Sequence, residues 1–418
     1  MMRELFSTKR LSFLTLFLAT LLIIVSSCSS DTNDVNITQE APSLAQYTST
    51  PIEGQYIIIL NNNYSGKSTE STNLNYREKT AMLRSEIPNK FAVAKITNEN
   101  IIRTFGFALN GFSAKLTDSQ LGLLKKDTRI KSIEQDQMIT LSPITVYKGK
   151  PPGSGGGDSD SDPAQETPWG ITRVVGEVAA YTGSATAWII DTGIDSDHPE
   201  LNVDVARSAS FVRDDSPEDK NGHGTHVAGT IAAIDNTIGV VGVAPGATVV
   251  AVRVLDRRGS GTISGVIAGV DYVTANGDGE SGDVANMSLG GGVSDSLDDA
   301  VIAAAATGVK FALAAGNESD DANNHSPARA NHANIYTISA MDISDNFASF
   351  SNYGNPPIEF CAPGVSVKST WKDGGYNTIS GTSMAAPHVC GLLLLGNVNS
   401  DGTVNGDPDG DPDLIAYN

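Results

Sequence analysis

The chain has 418 residues, of which 40% are hydrophobic, with 42 glycines and a formal net charge of −20. That length and apolar content can bury a large core and predict two or three domains. Residues 1–165 carry 17 Lys and Arg against 16 Asp and Glu, whereas residues 166–418 carry 11 against 32. The negative charge therefore belongs to the C-terminal part, and it disfavours nucleic acid and anionic lipid as partners.

Residues 1–27 are predicted to be a signal peptide, because basic residues precede the apolar run "LSFLTLFLATLLIIV", which is short for a membrane span. The following "VSSC" is typical of a bacterial lipobox, which implies lipidation of Cys28. An ordinary signal peptide with an incidental cysteine is the alternative. Residues 28–53 are polar and predict a flexible tether. We therefore expect an exported chain whose precursor is lipid-anchored at the cell envelope.

Residues 54–141 are predicted to form a small α+β domain. Strands are expected at "QYIIIL", at "KFAVAKI", which alternates like a half-buried strand, and at "IKSIEQDQMITL". A capped helix is expected at "TDSQLGLLKKD". Residues 142–165 are rich in Pro, Gly, Ser and Asp and lack periodicity, so they predict an exposed linker that is open to proteolysis.

Residues 166–418 alternate between strand and helix patterns. The predicted elements in chain order are the strand "TAWIID", the helix "HGTHVAGTIAAI", the strand "ATVVAVRVL", the helix "TISGVIAGVDYVTAN", the strand "DVANMSL", the helix "DSLDDAVIAAAATG" and the strand "VKFALAAG". Such alternation predicts an α/β fold with three layers, a doubly wound and mainly parallel sheet flanked by helices. In these sheets functional sites gather at the carboxyl ends of the strands.

Three polar residues stand at such positions. Asp191 ends the strand "TAWIID", His223 opens a helix between two glycines, and Asn317 follows the strand "VKFALAAG". Each has an ordinary alternative when taken alone, since strand-end Asp and Asn form turns and a lone His is more often a surface or cap residue.

The stretch "ISGTSMAAPHVCG" places Ser383 among very small residues, just ahead of an apolar run that predicts a helix. Because Pro387 is tolerated near a helix start, the helix is expected to begin near Thr382 or Ser383. Backbone donors and the positive end of the helix dipole would then surround the serine. A plain serine N-cap is the alternative.

Asp191, His223 and Ser383 in this chain order, with a strand-end Asn317, resemble the subtilisin-like serine proteases. The motifs "DTGID", "NGHGTHVAGT" and "GTSMAAPHV" carry the resemblance, which covers residues 166–418. The stretches "TPWGITRV", "NNHSPARA" and "FSNYG" are similar to the proteinase K and aqualysin branch.

The resemblance implies a secreted serine endopeptidase of broad specificity that works through an acyl-enzyme. Ser383 would be the nucleophile and His223 the general base and later the acid, while Asp191 would fix the imidazole tautomer. The Asn317 amide and the Ser383 backbone N–H would hold the oxyanion.

The resemblance also implies a substrate cleft. A glycine-rich edge strand would pair with the substrate backbone, and a broad, apolar, uncharged pocket would take the residue before the scissile bond. The predicted residues are Gly259, Ser260 and Gly261 for the edge strand, and Ser288, Leu289, Gly290, Gly291, Ala314, Ala315 and Gly316 for the pocket. Turn formation is the alternative for the glycines. We expect cleavage after apolar or aromatic residues.

Structural Ca²⁺ is the cofactor that the resemblance implies. Glu359 falls where the proteinase K pattern has an aspartate ligand, with the backbone of Ala333 and Ile335 as its partners. The acidic runs "DDSPED" and "DPDGDPD" offer further oxygen ligands, although exposed acidic loops are usually only solvated.

Residues 54–141 resemble the inhibitory propeptide of the same family, so the chain's partners would be peptide substrates and its own propeptide. The "IEQDQMITL" tail would lie in the substrate groove until self-cleavage near Glu166 releases a monomeric mature enzyme. Cys361 and Cys390 either form a disulfide or pack as free thiols.

Two other functions compete with a broad endopeptidase. One is a binding protein that retains an inactive protease scaffold, since fold alone does not fix function. The other is an enzyme that cleaves only its own propeptide.

Overall fold

The computed structural model describes residues 47–61, 74–141, 163–214 and 216–418. The predicted signal peptide, Cys28 and nearly all of the predicted linker lie outside the described residues. We refer to residues 47–141 as the N-terminal module and to residues 163–418 as the C-terminal module.

The N-terminal module is a four-stranded antiparallel sheet with two helices. Its elements are β1 (Tyr47–Leu60), α1 (Tyr76–Lys90), β2 (Ile101–Phe105), β3 (Gly111–Lys115), α2 (Asp118–Leu124) and β4 (Ile130–Leu141). The strand order is β2-β3-β1-β4, so β1 is central and β4 lies at one edge. The Thr117 hydroxyl accepts from the backbone N–H of Gln120 and caps α2, which confirms the predicted capped helix.

Two sequence predictions for this module were wrong. The stretch "KFAVAKI" is not a strand: α1 ends at Lys90 and a 3₁₀ turn follows at Ala92–Ala94, so that Phe91 and Ala94 face the module core. These two side chains are three residues apart, as on one face of a 3₁₀ turn, and Val93, which a strand would place on the same face as Phe91, is exposed. Strand β1 begins at Tyr47, so residues 47–53 belong to the strand and not to the predicted polar tether.

The C-terminal module alternates strands and helices as predicted. Its helices are α3 (Trp169–Val175), α4 (His223–Ala232), α5 (Ile263–Asn276), α6 (Asp295–Ala305) and α7 (Thr382–Leu395). Its strands are β5 (Thr186–Asp191), β6 (Asn202–Val203), β7 (Ala209–Ser210), β8 (Thr248–Arg253), β9 (Ser260–Thr262), β10 (Val284–Met287), β11 (Gly291–Gly292), β12 (Lys310–Ala314), β13 (His325–Ser326), β14 (Ile335–Met341), β15 (Ile358–Pro363), β16 (Val367–Trp371), β17 (Gly375–Ile379), β18 (Asn399–Thr403) and β19 (Leu414–Tyr417).

The central sheet has ten strands in the order β18-β19-β15-β14-β12-β10-β5-β8-β6, with β7 also paired to β8. Every pair in it is parallel except β18 with β19. The predicted doubly wound, mainly parallel sheet is confirmed.

Strand β5 shows why the sheet needs helices on both faces. Its residues are all buried, and they alternate between two apolar cores. Ala187 and Ile189 pack with residues of α4 and α7, whereas Trp188 and Ile190 pack with residues of α5 and α6. An uninterrupted apolar strand of this kind is typical of a parallel sheet that is covered on both sides.

Strand pairing also joins the two modules. The end of β4 pairs antiparallel with β9, with Met138 opposite Thr262, Ile139 opposite Gly261 and Thr140 opposite Ser260. The sheet of the N-terminal module thereby gains a fifth strand from the C-terminal module. Within the described residues, no helix is both long and apolar enough to span a membrane.

Candidate active site

The carboxyl end of β5 brings an acid and an imidazole together. Asp191 is its last residue, and His223 is the first residue of α4. The His223 Nδ1–H donates to Asp191 Oδ1 at 2.8 Å and lies 3.0 Å from Oδ2. The Thr192 backbone N–H donates to the same carboxylate at 2.7 Å. These bonds hold the imidazole with Nδ1 protonated, so that Nε2 is the basic nitrogen.

Small residues are needed for this approach between strand and helix. A Cβ on Gly224 would lie 2.1 Å from the carbonyl oxygen of Gly193, so a side chain there would force α4 away from the end of β5. Gly222, just before the helix, has a φ of +114°, which favours glycine. The glycines on both sides of His223 are therefore required for the contact between His223 and Asp191.

Helix α7 begins at Thr382, as predicted, and Ser383 is its second residue. The N-cap is Gly381, so Ser383 is not the plain N-cap of the alternative interpretation, and no side chain in the described part of the chain caps this end. Ser383 lies instead in the first turn of α7, where the positive end of the helix dipole stabilises an anion.

Pro387 lies in the second turn of α7 rather than the first. Because proline has no N–H, the carbonyl of Ser383, four residues earlier, lacks its helical donor. The Ser288 hydroxyl replaces it with a 2.7 Å hydrogen bond, and the Ser383 hydroxyl donates to the Ser288 carbonyl at 3.2 Å. The proline thus frees a carbonyl that ties the start of α7 to the end of β10.

The Asn317 side chain is also tied to α7. Its Oδ1 accepts from the backbone N–H of Thr382 at 2.8 Å and from the Thr382 hydroxyl at 3.0 Å. Asn317 and Ser383 line the same small cavity. With Oδ1 accepting these two bonds, the NH₂ group is the donor end of the amide.

The catalytic candidates are buried in the full chain: Asp191 and His223 are 0% exposed and Ser383 is 1% exposed. Within the described residues, His223 Nε2 has no hydrogen-bond partner, since Ser383 Oγ donates to Ser288 instead. The aromatic ring of Tyr47 packs edge-on to the imidazole, with 6.3 Å between the ring centres. Residues of the N-terminal module therefore cover the site.

Most of the predicted substrate-pocket residues lie around one cavity. Its lining includes Leu289, Gly290, Gly291, Ala314, Ala315 and Gly316. Ser288 lies beneath Ser383 and not in the lining. Gly259, Ser260 and Gly261 lie alongside β4, where Gly261 pairs with Ile139.

The cavity is not the uncharged slot that was expected, because Glu318 and His325 also line it. His325 Nδ1 lies 3.7 Å from Glu318 Oε2, and its Nε2 lies 3.3 Å from Asp320 Oδ2. The backbone N–H of Asn317 donates to the same Glu318 oxygen at 2.8 Å. Glu318 and His325 were not predicted as pocket residues, because an acidic loop and a single His form no pattern that predicts a pocket.

Glu359 lies on β15, next to β14, which begins with Ile335; Ala333 lies just before that strand. Glu359 Oε2 accepts from the Thr337 backbone N–H at 2.6 Å, and burial raises the carboxyl pKa to about 7. Glu359 is half-buried and its side chain contacts Thr337 of the neighbouring strand; its carboxylate is an oxygen ligand of the kind that Ca²⁺ takes.

A second acidic group was not predicted as a set. Carboxylate oxygens of Asp195, Asp197 and Glu218 lie within 4.8 Å of one another. Of these, only Glu218 belongs to the predicted run "DDSPED". In the run "DPDGDPD", Asp413 is buried and accepts hydrogen bonds from Ser339 and from Asn355.

Within the described residues, Cys361 and Cys390 are free thiols and both are buried, so they pack as thiols and do not form a disulfide with each other. Burial raises the pKa of both thiols, which makes them inert packing groups.

Two family models match the chain: Subtilase family over residues 186–400 and Peptidase inhibitor I9 over residues 55–142. The first model covers the strands and helices that present Asp191, His223, Asn317 and Ser383. The second begins at Gln55, within β1, and extends to the end of β4, so residues 47–54 lie outside it.

Curated relatives agree with these matches. Alkaline serine exoprotease A of Vibrio alginolyticus is 44% identical over 301 residues, which span 70% of this chain but only 52% of the relative. Extracellular serine proteinase of a Thermus species is 35% identical over 387 residues, spanning 90% of this chain and 87% of the relative. A solved cold-adapted subtilisin-like serine proteinase is 40% identical, with a TM-score of 0.49, covering 60% of this chain and 97% of that chain.

Proposed function

The chain belongs to the subtilase family, and from that premise we propose that it is an exported serine endopeptidase of broad specificity, made as a self-processing zymogen. The hydrogen bond from His223 Nδ1 to the buried Asp191 carboxylate carries the proposal, because it fixes the tautomer that a general base needs.

In the proposed reaction, Ser383 Oγ attacks the peptide carbonyl while His223 Nε2 takes its proton and passes it to the leaving amine. Oγ must first turn away from the Ser288 carbonyl, and catalytic hydrogen bonds often close only when the substrate is bound. The Asn317 NH₂ group and the Ser383 backbone N–H stabilise the oxyanion of both tetrahedral intermediates. Water then hydrolyses the acyl-enzyme by the same steps.

The N-terminal module acts in this proposal as the inhibitor. Two of its carboxylates complete helix ends of the C-terminal module: Asp136 accepts from the backbone N–H of Ser264 in α5 at 3.0 Å, and Glu134 from that of Ser296 in α6 at 2.9 Å. The helices' own caps, Thr262 and Ser294, satisfy the next donor in each case. Such contacts give the docked module charge-assisted bonds at two helix N-termini.

A third buried carboxylate belongs to the C-terminal module. Asp271 in α5 accepts from the backbone N–H groups of Gly106, Phe107 and Ala108 at distances from 2.7 to 3.2 Å. Burial raises the pKa of this carboxyl to about 6. With the pairing of β4 and β9, these contacts support a tail that occupies the substrate edge before maturation.

Labelling with a fluorophosphonate probe tests the proposed function. Wild-type chain that has completed processing should be labelled at Ser383 and should hydrolyse casein. Ser383→Ala should fold, remain as full-length precursor and take up no probe. Ser380→Ala, which alters a buried serine three residues away, should behave like wild type.

Each other outcome identifies a competing function. Mature wild type that is folded but unlabelled would indicate an inactive scaffold with a binding role. Labelled protein that processes itself but leaves casein intact would indicate an enzyme restricted to its own propeptide. Normal maturation of Ser383→Ala in a protease-free host would contradict the assigned nucleophile.

We further propose that a structural Ca²⁺ is held by Glu359 and by the carbonyls of Ala333 and Ile335. The support is the half-buried carboxylate on β15, which pairs with β14, the strand that begins at Ile335. Thermal unfolding of Ser383→Ala chain should shift upward when CaCl₂ replaces EDTA. Glu359→Gln should reduce that shift, whereas a shift lost only in Asp197→Asn would move the site to the acidic group of Asp195, Asp197 and Glu218.

We also propose a lipid anchor at Cys28, which the lipobox-like sequence supports. The anchor would hold the precursor at the membrane, and cleavage in residues 142–165 would release the mature enzyme to the periplasm or the exterior. Fractionation of producing cells should find precursor with membranes and mature enzyme in the soluble fraction, with Cys28→Ala as the control. Mature enzyme that stays membrane-bound at high salt, or an unmodified Cys28, would contradict this route.

A further inference from the structure

Residues 47–51, which we call the N-terminal strand, lie on the far side of the β4 tail from β9. Strand β1 is irregular between Pro51 and Tyr56, and its first part pairs with the tail itself: Tyr47 lies opposite Leu141, Ser49 opposite Ile139 and Pro51 opposite Gln137. The tail is therefore an inner strand, with β9 along one edge and the N-terminal strand along the other.

The N-terminal strand also contacts the opposite wall of the cleft. The backbone N–H of Gly292 in β11 donates to the Ser49 hydroxyl at 2.9 Å, and that hydroxyl donates to Gln137 Oε1 at 2.9 Å. The Gln137 side-chain amide in turn donates to the Val293 carbonyl at 3.1 Å. One polar network thus joins the strand, the tail and β11.

Tyr47 occupies the part of the cleft nearest to the chemistry. Its side chain is 8% exposed, it lines the same cavity as Gly290, Asn317 and Ser383, and its ring packs against His223. The tail residue opposite it, Leu141, lies instead beside Gly259 on the β9 side. The aromatic side chain at the pocket therefore comes from the N-terminal strand and not from the tail.

The direction of the strand differs from that of the tail. The tail runs antiparallel to β9, and the N-terminal strand runs antiparallel to the tail, so the N-terminal strand runs parallel to β9. If the tail follows the path of a substrate, the backbone that carries Tyr47 into the pocket runs in the direction opposite to that of a substrate. Such a segment fills the site without presenting a peptide bond in the orientation for attack.

We propose that the N-terminal strand is a second inhibitory segment, in which Tyr47 blocks the pocket beside His223 while Ser49 holds the strand to β11. The inference rests on the proposed function. The strand lies upstream of the linker, so cleavage there leaves it in the inhibitor, and the mature enzyme becomes active only when strand and tail depart together.

The proposal is tested on the full-length chain, purified in the cold before processing and exposed to a fluorophosphonate probe. Labelling of the uncleaved band reports access to Ser383. Tyr47→Ala should be labelled about tenfold faster than wild type, a change equivalent to about 1.4 kcal/mol. Tyr47→Phe should match wild type within about twofold, because the Tyr47 hydroxyl has no hydrogen-bond partner in the described part of the chain. Thr48→Ala, an exposed position on the same strand, is the matched control.

A Tyr47→Ala precursor labelled at the wild-type rate would overturn the proposal, and so would a Tyr47→Phe precursor labelled as fast as Tyr47→Ala. The same probe, applied after complete processing, counts folded enzyme. If Tyr47→Ala yields no folded enzyme, the Ser49→Ala precursor is tested instead. Labelling about fivefold faster than wild type would support the second inhibitory segment, and an unchanged labelling rate would reject it. Mature wild type that takes up no probe would instead reject the proposed function.

Discussion

Hydrogen-bonded polar groups serve different purposes at the catalytic site and at the surface between the two modules. In the C-terminal module, Asp191, His223 and Asn317 are held by hydrogen bonds from residues of the same module. In the N-terminal module, Glu134 and Asp136 are directed at helix ends of the other module. The difference indicates that the C-terminal module organises the site by itself, while the N-terminal module only covers it. Variants should therefore separate chemistry from docking.

The largest expected effect is that of Asp191→Asn. Asparagine cannot hold the same imidazole tautomer, so kcat should fall by about 10⁴, and self-processing should slow equally. Steady-state hydrolysis of a chromogenic peptide measures the effect once an unrelated protease has cut the linker and has been removed. The control is Asp283→Asn, which alters a buried carboxylate at the amino edge of the same sheet, bonded to Thr186 and Trp188. It should lower stability and leave kcat nearly unchanged. Equal losses in both variants would contradict a local catalytic role.

Asn317→Ala should have the next largest effect, since it removes one oxyanion donor. We expect kcat to fall by about 10²–10³, or about 2.7–4 kcal/mol, with KM little changed. The matched control is Asn323→Ala, which alters an exposed asparagine in the following loop. A rise in KM at constant kcat would mean that Asn317 binds the ground state instead.

Replacing His226 tests how the stability of the C-terminal module depends on pH. This module contains all six histidines of the chain. Burial lowers its pKa to about 3, and its Nε2–H donates to the Val367 carbonyl. The unfolded chain takes up the proton below a pKa of about 6.5, so stability is lost as the pH falls through that value. By pH 5 the loss is about 2 kcal/mol.

In a Ser383→Ala background, His226→Gln should abolish this part of the acid sensitivity. The difference in unfolding free energy between parent and variant, measured by urea titration, should shrink by about 2 kcal/mol between pH 7.5 and pH 5. Parallel pH profiles would contradict a buried neutral imidazole.

The smallest effect is expected for Asp136→Asn, which weakens the docking contact with α5. Weakening one helix-capping contact costs about 1 kcal/mol, so the module should inhibit about fivefold less tightly. The lag before peptide hydrolysis begins in freshly processed complex should shorten accordingly, and the final kcat should equal that of wild type. Glu99→Gln, at an exposed position of the same module, is the control. A changed final kcat would show that the module shapes the site as well as covering it.

Sequence patterns predicted the C-terminal module better than the N-terminal one. The strand "TAWIID" has the bounds of β5, because a fully apolar run with a terminal Asp has few alternatives in a parallel sheet. The prediction for "KFAVAKI" failed because a short apolar run also fits a 3₁₀ turn, which buries residues three apart. The helix α1 had no prediction, since its pattern is weakly amphipathic.

The candidate site was likewise predicted only in part. The types and order of Asp191, His223, Asn317 and Ser383 were predicted from motifs at strand and helix ends, and their catalytic roles stay predictions until the variants are measured. The presence of Glu318 and His325 in the pocket was missed, because only the fold of the loop after β12 brings them there.

The sequence by itself determined the family, the parallel sheet and the chemical groups at its carboxyl edge, since periodicity and motif spacing are local properties of the chain. Only the tertiary structure decided which segments meet across long separations. Ser288 replaces the donor that Pro387 lacks, 95 residues from Ser383, and Ser49 reaches Gly292 across 243 residues. Local pattern does not encode such pairings, because their free energy comes from the contact of two surfaces and neither segment shows it alone.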